Sequence, residues 1–144
     1  MFLGEYTHGL DSKGRLTIPA KFRDKLASGL VVTRNPSDQC LLLMPMPEWT
    51  TLSERIDELP IANRRNALLR RMIFSAAEDL KPDRQGRILV STRLREFAHI
   101  DTEVMVVGMN RYIELWDPQQ WHDQVLQQLD SGDLGEEMFA ALGI

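Results

Sequence analysis

Two pentapeptides of this chain carry an acid, a glycine and an arginine in the same order: Asp11-Ser-Lys-Gly-Arg15 and Asp83-Arg-Gln-Gly-Arg87. An arginine presents a planar fork of donors that fits a phosphate or a guanine edge. A glycine lets the backbone approach a phosphate closely. An aspartate four residues before the arginine suits a tight turn, and by itself such a pair does no more than pin that turn. The two roles are compatible: Asp11 orients Arg15 while Arg15 turns its outer nitrogens to a ligand. The surroundings are cationic. Residues 11–25 hold Lys13, Arg15, Lys21, Arg23 and Lys25 against Asp11 and Asp24, and residues 81–95 hold Lys81, Arg84, Arg87, Arg93 and Arg95 against Asp83.

Other chemistry is scarce. The chain has no CxxC, no HExxH, no G-x-S-x-G and no Walker-type glycine loop. His8, His99 and His122 are scattered, without metal-ligand spacing. Cys40 sits in QCLLLM, where a small buried hydrophobe is expected rather than a nucleophile. No pair of carboxylates stands out as acid and base. The expectation is a protein that is not an enzyme, holds no cofactor or metal and takes no small-molecule substrate.

The elements that must position the turns are written twice. At an offset of 72 residues Arg23 meets Arg95, Val32 meets Val104, Leu43 meets Leu115 and Trp49 meets Trp121. Leu16 with Ile88 and Ile18 with Val90 are conservative matches at the same offset. Two copies are too few for a solenoid, so they pair and bury one shared core. Each turn leads into a strand, Arg15–Pro19 and Arg87–Val90. A short amphipathic helix follows, opened by Pro19 in the first copy. Two extended stretches come next, Leu30–Arg34 and Gln39–Met44, with counterparts at Glu103–Val107 and Arg111–Trp116. Each copy closes with a helix from Pro47 or Pro118, with apolar residues at helical spacing. Trp49, Trp116, Trp121 and Leu43 belong to core or interface.

Between the copies, Asn63–Phe74 reads as an amphipathic helix with Arg64, Arg65, Arg70 and Arg71 on its polar side. Those arginines are solvated, or pair with acids, the acidic stretch 117–137 of a neighbouring protomer being a candidate partner; contact of this helix with DNA is the lesser alternative. The division is a first half at 1–60, a connecting helix at 61–75, a second half at 76–130 and an acidic C-terminal tail at 131–144. That tail carries at most a short helix.

The composition, 43% hydrophobic and 26% charged in 144 residues, is that of a globular protein of one domain or two half-domains. The net charge of −4 conceals an asymmetry: residues 1–100 carry 16 Lys and Arg against 12 Asp and Glu, and residues 101–144 one Arg against nine acids. A basic body is thus masked by an acidic end. The longest uncharged apolar run, Cys40–Pro47, is far short of the roughly 20 residues of a membrane span. The lone cysteine and the absence of a basic-then-apolar start point to a cytoplasmic protein.

The stretch MFLGEYTHGLDSKGRLTIPAKFR, the second DxxxR at Asp83–Arg87 and GMNRYIELWD closely resemble the MraZ family, over nearly the whole chain up to about Gln128. Each half is more distantly similar to AbrB/SpoVT-type swapped-hairpin domains. The resemblance implies an α+β fold: a pseudo-symmetric swapped-hairpin β-barrel built from the two repeats, with flanking helices. It also implies a nucleoid-associated transcriptional regulator that binds short direct repeats of double-stranded DNA in its own promoter, upstream of a division and cell wall gene cluster. It implies a homo-oligomeric ring. The motif match carries DNA contact to Arg15 and Lys13, and to Arg87 and Arg84, with Asp11, Gly14, Asp83 and Gly86 shaping the turns. Ser91 stands where the family pattern more often has proline, which leaves the start of the second short helix open. A ring-forming scaffold whose basic turns grip acidic proteins is the alternative.

Overall fold

A computed structural model describes residues 1–132 and 135–143. Asp133, Leu134 and Ile144 of the acidic tail lie outside the described residues. The first copy runs β1 (Glu5–Gly9), β2 (Arg15–Thr17), a 3-10 turn (Ala20–Phe22) into α1 (Arg23–Leu26), β3 (Leu30–Arg34), β4 (Leu41–Pro45) and α2 (Met46–Asp57). The helix α3 (Arg64–Phe74) joins it to the second copy: β5 (Glu78–Leu80), β6 (Arg87–Leu89), α4 (Thr92–Phe97), β7 (Glu103–Gly108) and β8 (Ile113–Trp116). That copy closes with α5 (Pro118–Trp121), a π-helical turn (His122–Leu126) and α6 (Gln127–Asp130), and α7 (Glu136–Ala140) lies in the tail.

The strands order as β1-β7-β8-β4-β3-β5 in one antiparallel sheet, with β2 and β6 as a separate ribbon. Exchanging the copies reads this order backwards, so the sheet has an internal pseudo-twofold. Its centres are pairs of repeat equivalents: Leu42 opposite Glu114 between β4 and β8, and Leu16 opposite Ile88 between β2 and β6. The copies interlock, because β1 pairs with β7 and β5 pairs with β3. The ladder is open: β1 and β5 are its outer strands, and hydrogen bonds do not close the sheet into a barrel.

Both copies feed one core. Leu16, Ile18, Phe22, Leu26, Val32, Leu41 and Leu43 are buried together with Ile88, Val90, Leu94, Ala98, Val104, Ile113 and Leu115, their equivalents 72 residues on. Burying each large aliphatic or aromatic side chain is worth about 1.5–3 kcal/mol. A half-core exposed by separating the copies would forfeit much of that gain. A smaller cluster joins Cys40, Val107, Trp116 and Trp121.

Two local departures from the sequence expectation, and one point it left open, have physical causes. The strands after the hairpin turns start two residues late, at Leu41 and Ile113. In the first copy the Asn35 side chain explains it, accepting from Ser37 N at 2.8 Å and Asp38 N at 3.3 Å and so extending the turn. The helix after Pro118 is interrupted by the π turn, which shifts the register by one residue without requiring a glycine or proline to announce it. The second short helix does form where proline is replaced. The Ser91 hydroxyl oxygen accepts from Leu94 N at 3.3 Å, and its O–H donates to Glu78 Oε2 at 2.7 Å.

Candidate nucleic-acid interface

Both DxxGR segments close the same five-residue turn. In the first, Asp11 N donates to the Arg15 carbonyl and Gly14 N to the Asp11 carbonyl, each at 3.0 Å. The Asp11 carboxylate accepts from Lys13 N at 3.0 Å and Arg15 N at 2.8 Å on Oδ1, and from Arg15 Nε at 2.6 Å on Oδ2. In the second, Asp83 accepts from Gln85 N and Arg87 N, both at 2.9 Å, and from Arg87 Nε at 2.8 Å. The backbone N–H of Arg15 leads in holding the Asp11 carboxyl below its usual range, helped by the Arg15 side chain and Lys13 N–H. The backbone N–H of Arg87 leads in the same way at Asp83. Both carboxylates are charged at neutral pH and fix their arginines in place.

Each arginine is engaged only through Nε. Among the described residues the terminal nitrogens of Arg15 and Arg87 have no protein partner, although these side chains are only 32% and 27% exposed. Strand alternation sends Leu16 and Ile88 inward and Arg15, Thr17, Arg87 and Leu89 outward on the ribbon. Arg15 and Arg87 are diagonal neighbours there, about 7–8 Å apart by the geometry of antiparallel pairs.

The turns lock onto one another across the pseudo-twofold. Ile18 N donates to the Gly86 carbonyl at 2.8 Å and Val90 N to the Gly14 carbonyl at 3.0 Å. Arg23 Nε donates to the Ile18 carbonyl and Arg95 Nε to the Val90 carbonyl, both at 2.9 Å. The Arg23 side chain then lies against Gly86, and the Arg95 guanidinium against Gly14. Both glycines have positive φ, +75° and +81°, and a Cβ on Gly86 would stand 2.6 Å from Arg23 Nε. Each turn therefore carries its own aspartate-bound arginine, Arg15 or Arg87, and packs against one arginine from the other half. Arg23 and Arg95 are the members of the site that motif reading passed over. Their signal was in the sequence, since they are identical at the repeat offset and fall in the two cationic windows.

Lys13 and Arg84 sit at the exposed tips of their turns and are not repeat equivalents: Lys13 matches Gln85, and Arg84 matches Ser12. Among the described residues neither side chain has a hydrogen-bonding or ionic partner. Of the connecting-helix arginines, Arg70 bonds Asp57 Oδ1 at 3.3 Å and the carbonyls of Asp57 and Leu59, which caps the end of α2. Cys40 is fully buried, and its burial, followed by the negative charge of Glu114, pushes its thiol well above the ordinary range. His8 is half-buried on the outer strand β1, His99 meets Gln39 at 3.0 Å, and His122 pairs with Asp123. Among the described residues no cluster of His, Cys, Asp and Glu is placed to hold a metal, and no helix is long and apolar enough to cross a membrane. A groove of about 650 Å3 is lined by Asn35, Leu42, Arg55, Tyr112 and Glu114 among others and by none of the turn residues. Glu114 is buried there, accepting from Trp116 Nε1 at 3.0 Å and Asn35 Nδ2 at 3.3 Å, and burial raises its pKa above the ordinary value.

The architecture defines a class: an internally duplicated α+β domain whose halves interlock and present twin arginine turns. Comparison with known proteins gives the class its family. The model of the family described as "MraZ protein, putative antitoxin-like" matches residues 1–72 and again 73–141, the same 72-residue step as the repeat. A protein of Roseiflexus castenholzii is 47% identical over 131 residues, covering 91% of this chain and 90% of that one. Proteins of Herpetosiphon aurantiacus and Clostridium tetani are 47% and 37% identical over 144 residues, covering both chains in full. All three relatives are named transcriptional regulator MraZ. This chain belongs to the MraZ family.

Proposed function

We propose that the protein is a transcriptional regulator that binds DNA through its twin turns. The observation that carries this reading is the outward pair Arg15 and Arg87, each fixed through Nε by its own aspartate, with both terminal nitrogens unengaged among the described residues. A guanidinium held in one orientation loses little freedom on binding, and its open fork is the donor set that guanine edges and phosphates accept. Lys13 and Arg84 extend the positive surface, and Arg23 and Arg95 add to it across the pseudo-twofold. The names of the relatives support the regulatory role. No catalytic step enters this reading.

The finer parts are proposals of the same kind. The interlocked strands and cross-bonded turns support a swapped-hairpin, barrel-like body with halves at 1–60 and 76–130, joined by 61–75 and followed by the tail. The target is a set of short direct repeats in the promoter of the protein's own gene and the division and cell wall cluster behind it, engaged in the cytoplasm at the nucleoid. One protomer offers few contacts, so a ring that presents identical turns together binds repeated sites by avidity, a gain of about 10²–10⁴ without new contacts. Repeats about one helical turn apart would face the same side of the duplex. Occlusion of the promoter then represses it.

A gel shift on the upstream region tests the reading. Arg15→Ala is expected to abolish the shifted band while circular dichroism and oligomer mass stay unchanged; full retention of the band would remove Arg15 from the interface. A scaffold for acidic proteins would instead keep its partner in a pull-down after nuclease treatment.

A further inference from the structure

The connecting helix α3 and the C-terminal tail have opposite and unanswered characters. Residues 60–77 contain four arginines and no acid. Beyond Arg111 the chain contains no Lys or Arg at all, and it carries seven acids. On α3 the side chains of Arg64, Leu68 and Arg71 lie at i, i+4 and i+7, on the face that points away from buried Ile73. Leu68 is 58% exposed and Ile61, just before the helix, 81%. Among the described residues Arg64, Arg65 and Arg71 meet no carboxylate, whereas Arg70 on the inner side is bonded to α2. This is an apolar strip framed by three open guanidinium groups.

The tail offers the complement. Met138, Phe139 and Leu142 share one side of α7 and the turn after it, and all are more than half exposed. Glu136 and Glu137 stand beside them. Every described residue from Gln127 to Gly143 is exposed, so this apolar group is not covered by its own body. Exposed methionine, phenylalanine and leucine in one helical turn mark a contact surface.

We infer that the C-terminal helix of one copy docks on the Arg64–Leu68–Arg71 face of α3 in the next. Met138, Phe139 and Leu142 cover Leu68 and Ile61, and Glu136 and Glu137 pair with Arg64, Arg65 and Arg71. The contact is heterologous, tail to helix, so each copy offers both a donor and an acceptor surface. Such a contact propagates, and it closes into a ring when the rotation per subunit allows. The inference rests on the proposed assembly and names its joint. It also separates the two arginine sets of the molecule: α3 serves self-association, and the twin turns remain free for DNA.

Charge-swapped variants test it, with mass read by size-exclusion chromatography and light scattering. Wild-type protein is expected as a single oligomer of defined mass. A chain ending at Ser131, Glu136→Arg/Glu137→Arg, and Arg64→Glu/Arg65→Glu should each fall to or near the 16.5 kDa monomer. The chain carrying both pairs of substitutions should regain the oligomer. A truncated chain that keeps the full mass, or a double swap that stays dissociated, overturns the inference, as does a tail that protects its own α3 in a monomer. Binding to a duplex with one repeat is measured alongside. It should survive every one of these variants, so loss of assembly and loss of DNA recognition are told apart. A loss of single-repeat binding in Arg64→Glu/Arg65→Glu assigns α3 to DNA and also overturns the inference.

Discussion

At the scale of single residues, the paired aspartates decide how the arginines are used. Each carboxylate accepts two backbone N–H groups and one Nε–H, so its charge is held in place and the outer guanidinium nitrogens are left over. Folded-state carboxyls with lowered pKa contribute stability above the ordinary carboxylate pKa and lose it as pH falls through the lowered value. Asp11 and Asp83 therefore contribute this stability in full at neutral pH, where both carboxylates are charged. Glu114 behaves in the opposite sense. Burial first, and Asp38 beside it, favour its neutral form, while Trp116 and Asn35 favour the charged one. A raised carboxyl pKa makes the folded protein hold its proton more tightly than the unfolded chain does. Stability then rises as pH falls from neutrality towards the ordinary carboxylate range. Thermal melts of Glu114→Gln across that range should show this pH dependence reduced relative to wild type; an unchanged dependence would place its origin elsewhere. The sequence marked Asp11, Arg15, Asp83 and Arg87 plainly, because type and spacing repeat. Glu114 was not legible, because it lies on the face of β8 opposite the core residues Ile113 and Leu115, and nothing in the sequence says that this second face is also covered.

Among the elements, the β2–β6 ribbon is what makes two turns into one surface. Its two buried residues, Leu16 and Ile88, anchor it in the shared core, and its outer face carries both arginines. The glycines let the partner half's arginine lie flat on each turn. Gly86→Ala meets both a positive φ and a Cβ 2.6 Å from Arg23 Nε, and that nitrogen is held by the Ile18 carbonyl. It should cost about 1–3 kcal/mol in denaturant unfolding and weaken DNA binding, because the second turn is pushed off its partner. Gly14→Ala, with its closest approach of 3.0 Å, should cost less; equal losses would deny Arg23 its packing role. The repeat, the strands and the short helices could be read from periodicity and the 72-residue offset. The exchange of edge strands between copies could not, since β1 pairs with β7, in the other copy and far along the chain, and no local pattern encodes that distance.

The whole molecule joins a basic body to an acidic end, and both surfaces face outward. One consequence is the assembly already argued. The other concerns affinity. Neutralising phosphates releases counterions, and log affinity falls against log salt with a slope of about −0.9 per phosphate contacted. A molecule whose recognition rests on a few oriented arginines, multiplied by assembly, should bind steeply in salt despite a net charge of −4. Whole-chain charge hides the basic body, and the division of charge along the sequence makes it visible.

The most direct test is a salt titration of affinity for the upstream duplex, wild type against Arg15→Ala/Arg87→Ala. The account predicts tight binding with a steep slope for the wild type, and for the variant a large loss of affinity with a markedly flatter slope. Equal affinities and equal slopes would contradict it.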